Sequence, residues 1–203
     1  IGGISNITLI GDLKEENLIS KDIGPGNCLI DEWMRRNKKG NYDKNGEAAS
    51  IGKTNELILN QALEDFENIT DKNMNSFDVN DFEINFLRGI DLEDGASTIT
   101  DFTSNIIASK LLSEISKSNL KITKIILCGG GRKNKTLIDR IKKHCGKEVK
   151  FETTDDYGFD GDFVESQAFA FLAIRSFFKL PISFPNTTGC KSPSTGGVLV
   201  KNF

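Results

Sequence analysis

Cys128-Gly129-Gly130-Gly131-Arg132-Lys133-Asn134 is the stretch on which the reading of this chain turns. The apolar run Ile125-Ile126-Leu127-Cys128 enters it as a strand, and Leu137 to Cys145 leaves it as a helix. Three consecutive glycines let backbone approach a flat or anionic group closely, because no Cβ intervenes. A helix start just beyond offers unpaired N–H groups and the positive end of a dipole. Together these make a nucleotide seat.

Outward from this turn, the last third of the chain alternates strand and helix. Lys124–Cys128 is followed by the helix Lys135–His144, and Val149–Thr153 by the helix Phe163–Phe178. That order, with a right-handed crossover, predicts parallel strands. The acidic segment from Thr153 to Asp162 falls between a strand end and a helix, where α/β crevices form. Asp162 is placed to cap that helix, with Glu165 three residues later in capping-box register. Phe184 to Phe203 reads as a Pro/Gly-rich tail ending in a short strand, Val198–Val200.

The first third predicts a hairpin. Ile4–Ile10 alternates apolar and polar residues, Gly11-Asp12 turns, and Asn17–Ile23 returns antiparallel. Gly24-Pro25-Gly26-Asn27 is a tight turn in which Asn27 suits a helix cap. Leu29, Ile30, Trp33 and Met34 mark the apolar face of the helix that follows. Glu47–Phe66 predicts two short helices broken near Gly52. Asn68–Gly95 predicts a long irregular loop with one short helix, and Ala96–Ser118 an amphipathic helix. Three glycine turns at strand ends (Gly2-Gly3, Gly24 to Asn27 and Gly129 to Gly131) are better explained by one ligand touching backbone at several points than by chance.

Composition narrows the function classes. The 203 residues carry a net charge of −3 with both signs interspersed, so no basic face for nucleic acid is expected. No run approaches the ~20 apolar residues of a membrane span. The four cysteines are far apart, and with a single histidine, His144, no metal site is expected. Cys128 and Cys145 read as reduced core thiols, which points to the cytoplasm. A Rossmann reading of Gly129 to Asn134 is weakened because Asn134 stands where the third glycine belongs. Glu152 does lie at a ribose-contact distance downstream.

With these residues laid out, the chain resembles the anhydro-N-acetylmuramic acid kinase family. The resemblance is carried by Ile1-Gly2-Gly3-Ile4-Ser5-Asn6-Ile7-Thr8-Leu9 and by Asp22-Ile23-Gly24-Pro25-Gly26-Asn27 with Leu29-Ile30-Asp31 and Trp33. Tyr42-Asp43-Lys44-Asn45-Gly46, Cys128 to Asn134, Thr153-Thr154-Asp155 and Gly161-Asp162 through Glu165 to Ala168 complete it. It implies an α/β, ribonuclease H-like lobe of the actin-like ATPase superfamily, a mixed sheet flanked by helices. Residues 1–27 would be a phosphate-binding hairpin, 28–118 a helical insertion with a long helix, and 119–203 an adenosine-binding α/β part.

The resemblance further implies that ATP, with Mg²⁺, is held by Gly2, Gly3, Ser5 and Asn6 and by Gly24, Gly26 and Asn27. Gly129, Gly130, Gly131 and Asn134 would form the adenosine turn, and Glu165 would touch the amino sugar. A homodimer stays open as a partner state. The family's first phosphate turn and the Asp-Phe-Arg segment with the catalytic base are expected before Ile1, in an N-terminal lobe outside this sequence. At Asn75 and Val79 the family commonly has Lys and Arg, which also leaves open a degenerate nucleotide-binding module without catalysis.

Overall fold

The computed structural model describes residues 1–11, 14, 18–70, 76–118, 120–147 and 149–200. Strands β1 (Ile4–Leu9) and β2 (Ile19–Pro25) pair antiparallel, with an irregularity between Ser5 and Asn6. Alternation buries Ser5, Ile7 and Leu9 on one face of β1. Asp12 and Asn17, assigned above to the hairpin's turn and return, lie outside the described residues. Helices α1 (Cys28–Arg36), α2 (Glu47–Ile51), α3 (Glu56–Thr70) and α4 (Leu92–Ser118) follow. Strand β3 (Lys124–Leu127), helix α5 (Lys135–Cys145) and strand β4 (Lys150–Thr153) then form one parallel βαβ unit, with Ile125 opposite Phe151. Helices α6 (Val164–Phe177) and α7 (Pro185–Thr188) close the chain.

The fold is mixed α/β, but the described strands form two two-stranded sheets rather than one. Ile1 links them. Its N–H donates to the Cys128 carbonyl at 2.7 Å, and its carbonyl accepts from Gly131 N–H at 2.9 Å. The expected strand at Val198–Val200 is not formed; the tail instead makes a single antiparallel bridge between Ser183 and Ser194. The expected loop before α4 contains two 3-10 turns, Val79–Asp81 and Asn85–Leu87.

Helix α4 organises the core. Ile99, Phe102, Ile106, Ile107 and Leu111 are buried on it, packing with Leu29, Ile30, Trp33, Leu137 and Ile141 from α1 and α5. Its first half is also polar and buried, and each contact there has a reason. Arg140 of α5 donates to the Ser97 carbonyl at 2.6 Å and Ser97 Oγ at 2.8 Å, and pairs with Asp101 at 3.2 Å. Thr54 donates to the same Asp101, and Asn55 N–H donates to Thr98 Oγ1 at 2.9 Å. Satisfied in this way, Ser97, Thr98 and Asp101 fix α5 and the segment before α3 on α4, whereas the Thr100 and Thr103 hydroxyls, buried on the same helix, have no hydrogen-bond partner.

Gly95 lies where Trp33 crosses α4, and Trp33 is held there by its Nε1–H donating to the Leu92 carbonyl at 2.9 Å. A Cβ at 95 would overlap the indole ring. Helix propensity alone would favour Gly95→Ala by about 1 kcal/mol. Overpacking against a tethered ring costs roughly 1–3 kcal/mol. Gly95→Ala is therefore expected to lower stability in urea denaturation; a more stable variant would refute this packing.

Candidate functional site

The three glycine turns meet, and they meet backbone to backbone. The Gly2 carbonyl accepts from Asn27 N–H at 2.8 Å, and the Gly3 carbonyl accepts from Gly26 N–H at 2.8 Å and Cys28 N–H at 3.1 Å. On the other side, Ile1 is inserted against Gly129 and Gly131. Side chains would prevent this. A Cβ on Gly26 would strike the Gly2 carbonyl, one on Gly129 the Ile1 carbonyl, and one on Gly131 the Ile1 side chain. Gly24, at φ +147°, instead turns its bare side to Ile106 of α4. Gly24, Gly26, Gly129 and Gly131 thus have bare sides already in use within the fold.

The remaining glycines of these turns are different. A Cβ on Gly130 would meet nothing within 4 Å, and one on Gly2 would find its nearest neighbour at 3.8 Å. Gly3 borders an open cavity of about 640 Å³ lined also by Cys28, Asp31, Glu32, Arg35, Val79 and Asn80. Burial pushes the Asp31 carboxyl up to about 6, partly opposed by Arg35. Burial likewise raises the Cys28 thiol to about 11, so it stays protonated at neutral pH. Val79, one of the two positions where the family resemblance calls for a cation, stands at this cavity; Asn75 lies outside the described residues.

Several polar residues picked out by sequence are engaged structurally. Ser5 Oγ is buried and donates to the Pro25 carbonyl at 3.0 Å, closing the hairpin at its irregular step. Asn6 is exposed and donates to Asp22 at 3.0 Å. Asn27 occupies the cap position of α1 without a side-chain capping bond; its Nδ2 donates to the Gly2 carbonyl at 3.3 Å. Asn134 is buried and caps α5, accepting from Leu137 N–H at 3.0 Å. It packs against Gly46 of the Tyr42 to Gly46 turn, whose carbonyl accepts from Thr136 Oγ1 at 2.7 Å.

The acidic loop after β4 is fastened to the triple-glycine turn by Arg132, to which the sequence alone assigns no role. Its guanidinium makes a bidentate pair with Asp155, at 2.7 and 3.1 Å, and reaches Asp162 at 2.8 Å and the Gly129 carbonyl at 3.2 Å. Hydrogen bonds from Arg132 hold the Asp155 carboxyl down at about 2. Lys133 adds a second cation to Asp162. The expected capping box therefore fails: Asp162 is taken by these cations, Phe163 sits at the cap position without a side-chain bond, and Glu165 stands exposed in the first turn of α6. The signal available in the sequence was charge complementarity, an Arg-Lys pair on one turn and four aspartates on the next.

No three His, Cys, Asp or Glu side chains are gathered to hold a metal ion among the described residues, and no described helix is long and apolar enough to cross a membrane.

Residues 1–202 match the family model for anhydro-N-acetylmuramic acid kinase. The anhydro-N-acetylmuramic acid kinase of Pelagibacter ubique is 54% identical over 203 residues, covering 100% of this chain and 54% of that protein. That of Brucella canis is 38% identical, covering 99% of this chain and 52% of the relative, and that of Zymomonas mobilis is 37% identical, covering 97% and 52%. The chain spans about half the length of the relatives it matches.

Two measurements check this geometry. An acid whose folded pKa is raised binds its proton more readily in the native state, so its contribution to stability falls as pH rises from 3.8 through about 6. Asp31→Asn is expected to gain melting temperature over the parent at pH 7 but not at pH 3.5; an equal effect at both would contradict the burial of this carboxyl. Gly131→Ala is expected to lose about 1–3 kcal/mol of stability through collision with Ile1, read by urea denaturation, and no loss would mean that the two turns are not in contact.

Proposed function

From the premise that the chain belongs to the anhydro-N-acetylmuramic acid kinase family, we propose that it is the nucleotide-gripping portion of an ATP-dependent amino-sugar kinase. The reading takes the chain as an actin-like, ribonuclease H-type lobe. In it, residues 1–27 face the phosphates, 28–118 form the helical body, and 119–203 face the adenosine. The observation that carries it is the pair of open glycines, Gly2 and Gly130, on two turns joined through Ile1. Gly24, Gly26, Gly129 and Gly131 in the same turns set their missing Cβ against protein; Gly2 and Gly130 leave theirs free, as do Gly40, Gly89, Gly146, Gly158 and Gly189 elsewhere, but only these two stand on turns joined to each other.

ATP supplies the phosphoryl group and Mg²⁺ neutralises charge on it. The residues present fit a nucleotide: bare backbone lies at both turns, and Arg132 pairs with the acidic loop's Asp155 and Asp162, offsetting their charge beside the turn. In the reaction of the family, water adds to C1 of the 1,6-anhydro sugar, the C1–O6 bond breaks, and O6 takes the γ-phosphoryl group to give N-acetylmuramic acid 6-phosphate and ADP. Such chemistry requires a carboxylate base beside the water. Glu165, exposed and free of a capping role, is available to bind the sugar.

Gly130→Val is the test. A side chain there meets no protein atom, so the melting temperature should hold, while ATP affinity in calorimetric titration should fall about tenfold or more, a loss of about 1.4 kcal/mol or more. Unchanged affinity would overturn the adenosine assignment. Glu165→Ala should likewise leave the melting temperature unchanged and weaken sugar binding; a destabilised variant with intact sugar affinity would remove Glu165 from the site.

A further inference from the structure

A capping side chain and a packed apolar face are what ordinarily fix the start of a helix. Helix α6 has neither: Phe163 stands at its cap position without a side-chain bond, and no residue of the helix is buried. Its start is placed instead by bonds made just upstream. The loop entering it folds on Asp160, whose carbonyl accepts from Phe163 N–H at 3.0 Å and whose carboxylate accepts from Asp162 N–H at 2.9 Å. Arg132 grips that loop at two points, forking onto Asp155 and reaching Asp162. One nitrogen, Nη1, bonds both the Asp162 carboxylate at 2.8 Å and the Gly129 carbonyl at 3.2 Å. The residue before the cap of α6 is thereby joined to the triple-glycine turn through a single atom.

The guanidinium has a fitted seat. The Arg132 side chain is 7% exposed, against 46% and 44% for those of Asp155 and Asp162. A Cβ on Gly161 would overlap its Nε, so the loop admits this side chain only because residue 161 is bare. A planar fork fixes the angle between its partners, which the ammonium of Lys133 on Asp162 does not. Given the sugar contact proposed for Glu165, on which this step rests, we propose that Arg132 is a positioning residue: it holds the first turn of α6 so that the Glu165 carboxylate stands in a set place relative to the nucleotide turn. Glu165 follows Asp162 by three residues and lies in that first turn. Arg132 acts through it and does not touch the sugar.

A double-mutant cycle tests this, read by calorimetric titration of the 1,6-anhydro sugar into the 203-residue chain with a non-hydrolysable ATP analogue bound. Arg132→Lys keeps the charge and loses the fork. It should weaken sugar binding about tenfold in the parent and by less than about twofold in the Glu165→Ala background. Asp162→Asn should reproduce both results with affinity for the analogue unchanged, and it carries the cycle if Arg132→Lys misfolds. Losses that simply add in the double variants, or sugar affinity unchanged in both single variants, would overturn the positioning role while leaving Glu165 in the site. Glu165→Ala with full sugar affinity, or a parent chain that binds no sugar, would overturn the reading of Glu165 and the positioning role with it.

Discussion

Backbone pressed against backbone at three glycine turns is the constraint from which the rest of this structure follows. Ile1 wedged between Cys128 and Gly131, and Gly2-Gly3 bonded to Gly26, Asn27 and Cys28, join the hairpin to the βαβ unit with hydrogen bonds rather than with a side-chain core. Such joints need residues without a Cβ, which explains Gly26, Gly129 and Gly131 without invoking any ligand. They also define what remains. Once those bare sides are filled from within, Gly2 and Gly130 are left facing outward, and the functional reading rests on this remainder rather than on glycine content as such.

Two rigid supports hold the joint in place. On one side, α5 is pinned to α4 through Arg140, Asp101 and Ser97, and it starts at Asn134, which caps it and abuts Gly46. The end of the triple-glycine turn is thereby tied to the core. On the other side, Arg132 reaches from the turn into the acidic loop and satisfies Asp155 and Asp162 together. These pairs are exposed on the carboxylate side, so their value is positional: they set where the loop stands relative to the turn, and salt will weaken them.

The parts of the fold legible in the sequence were those with local periodicity. The alternation of β1, the apolar face of α1, and the strand-helix order of β3, α5 and β4 all follow from residues close in the chain. The break at Gly52 between α2 and α3 was also legible. What sequence could not rank was competition among partners distant in the chain. Asp162 and Asn27 have the right chemistry and position for caps, but Asp162 meets Arg132 and Lys133 from another turn, and Asn27 meets the Gly2 carbonyl. Val198–Val200 has strand composition but pairs with no strand, since β propensity is realised only where a partner edge exists. The glycine turns stand out in the sequence, while the division of their glycines into those consumed by packing and those left open depends on three-dimensional neighbours that no local pattern encodes.

The open glycines imply that one nucleotide touches both turns at once. Amide NMR of the chain during titration with a non-hydrolysable ATP analogue tests it directly. The Gly2, Gly3 and Gly130 resonances are expected to shift together along a single binding isotherm. Shifts confined to one turn, or saturating at different concentrations, would contradict it.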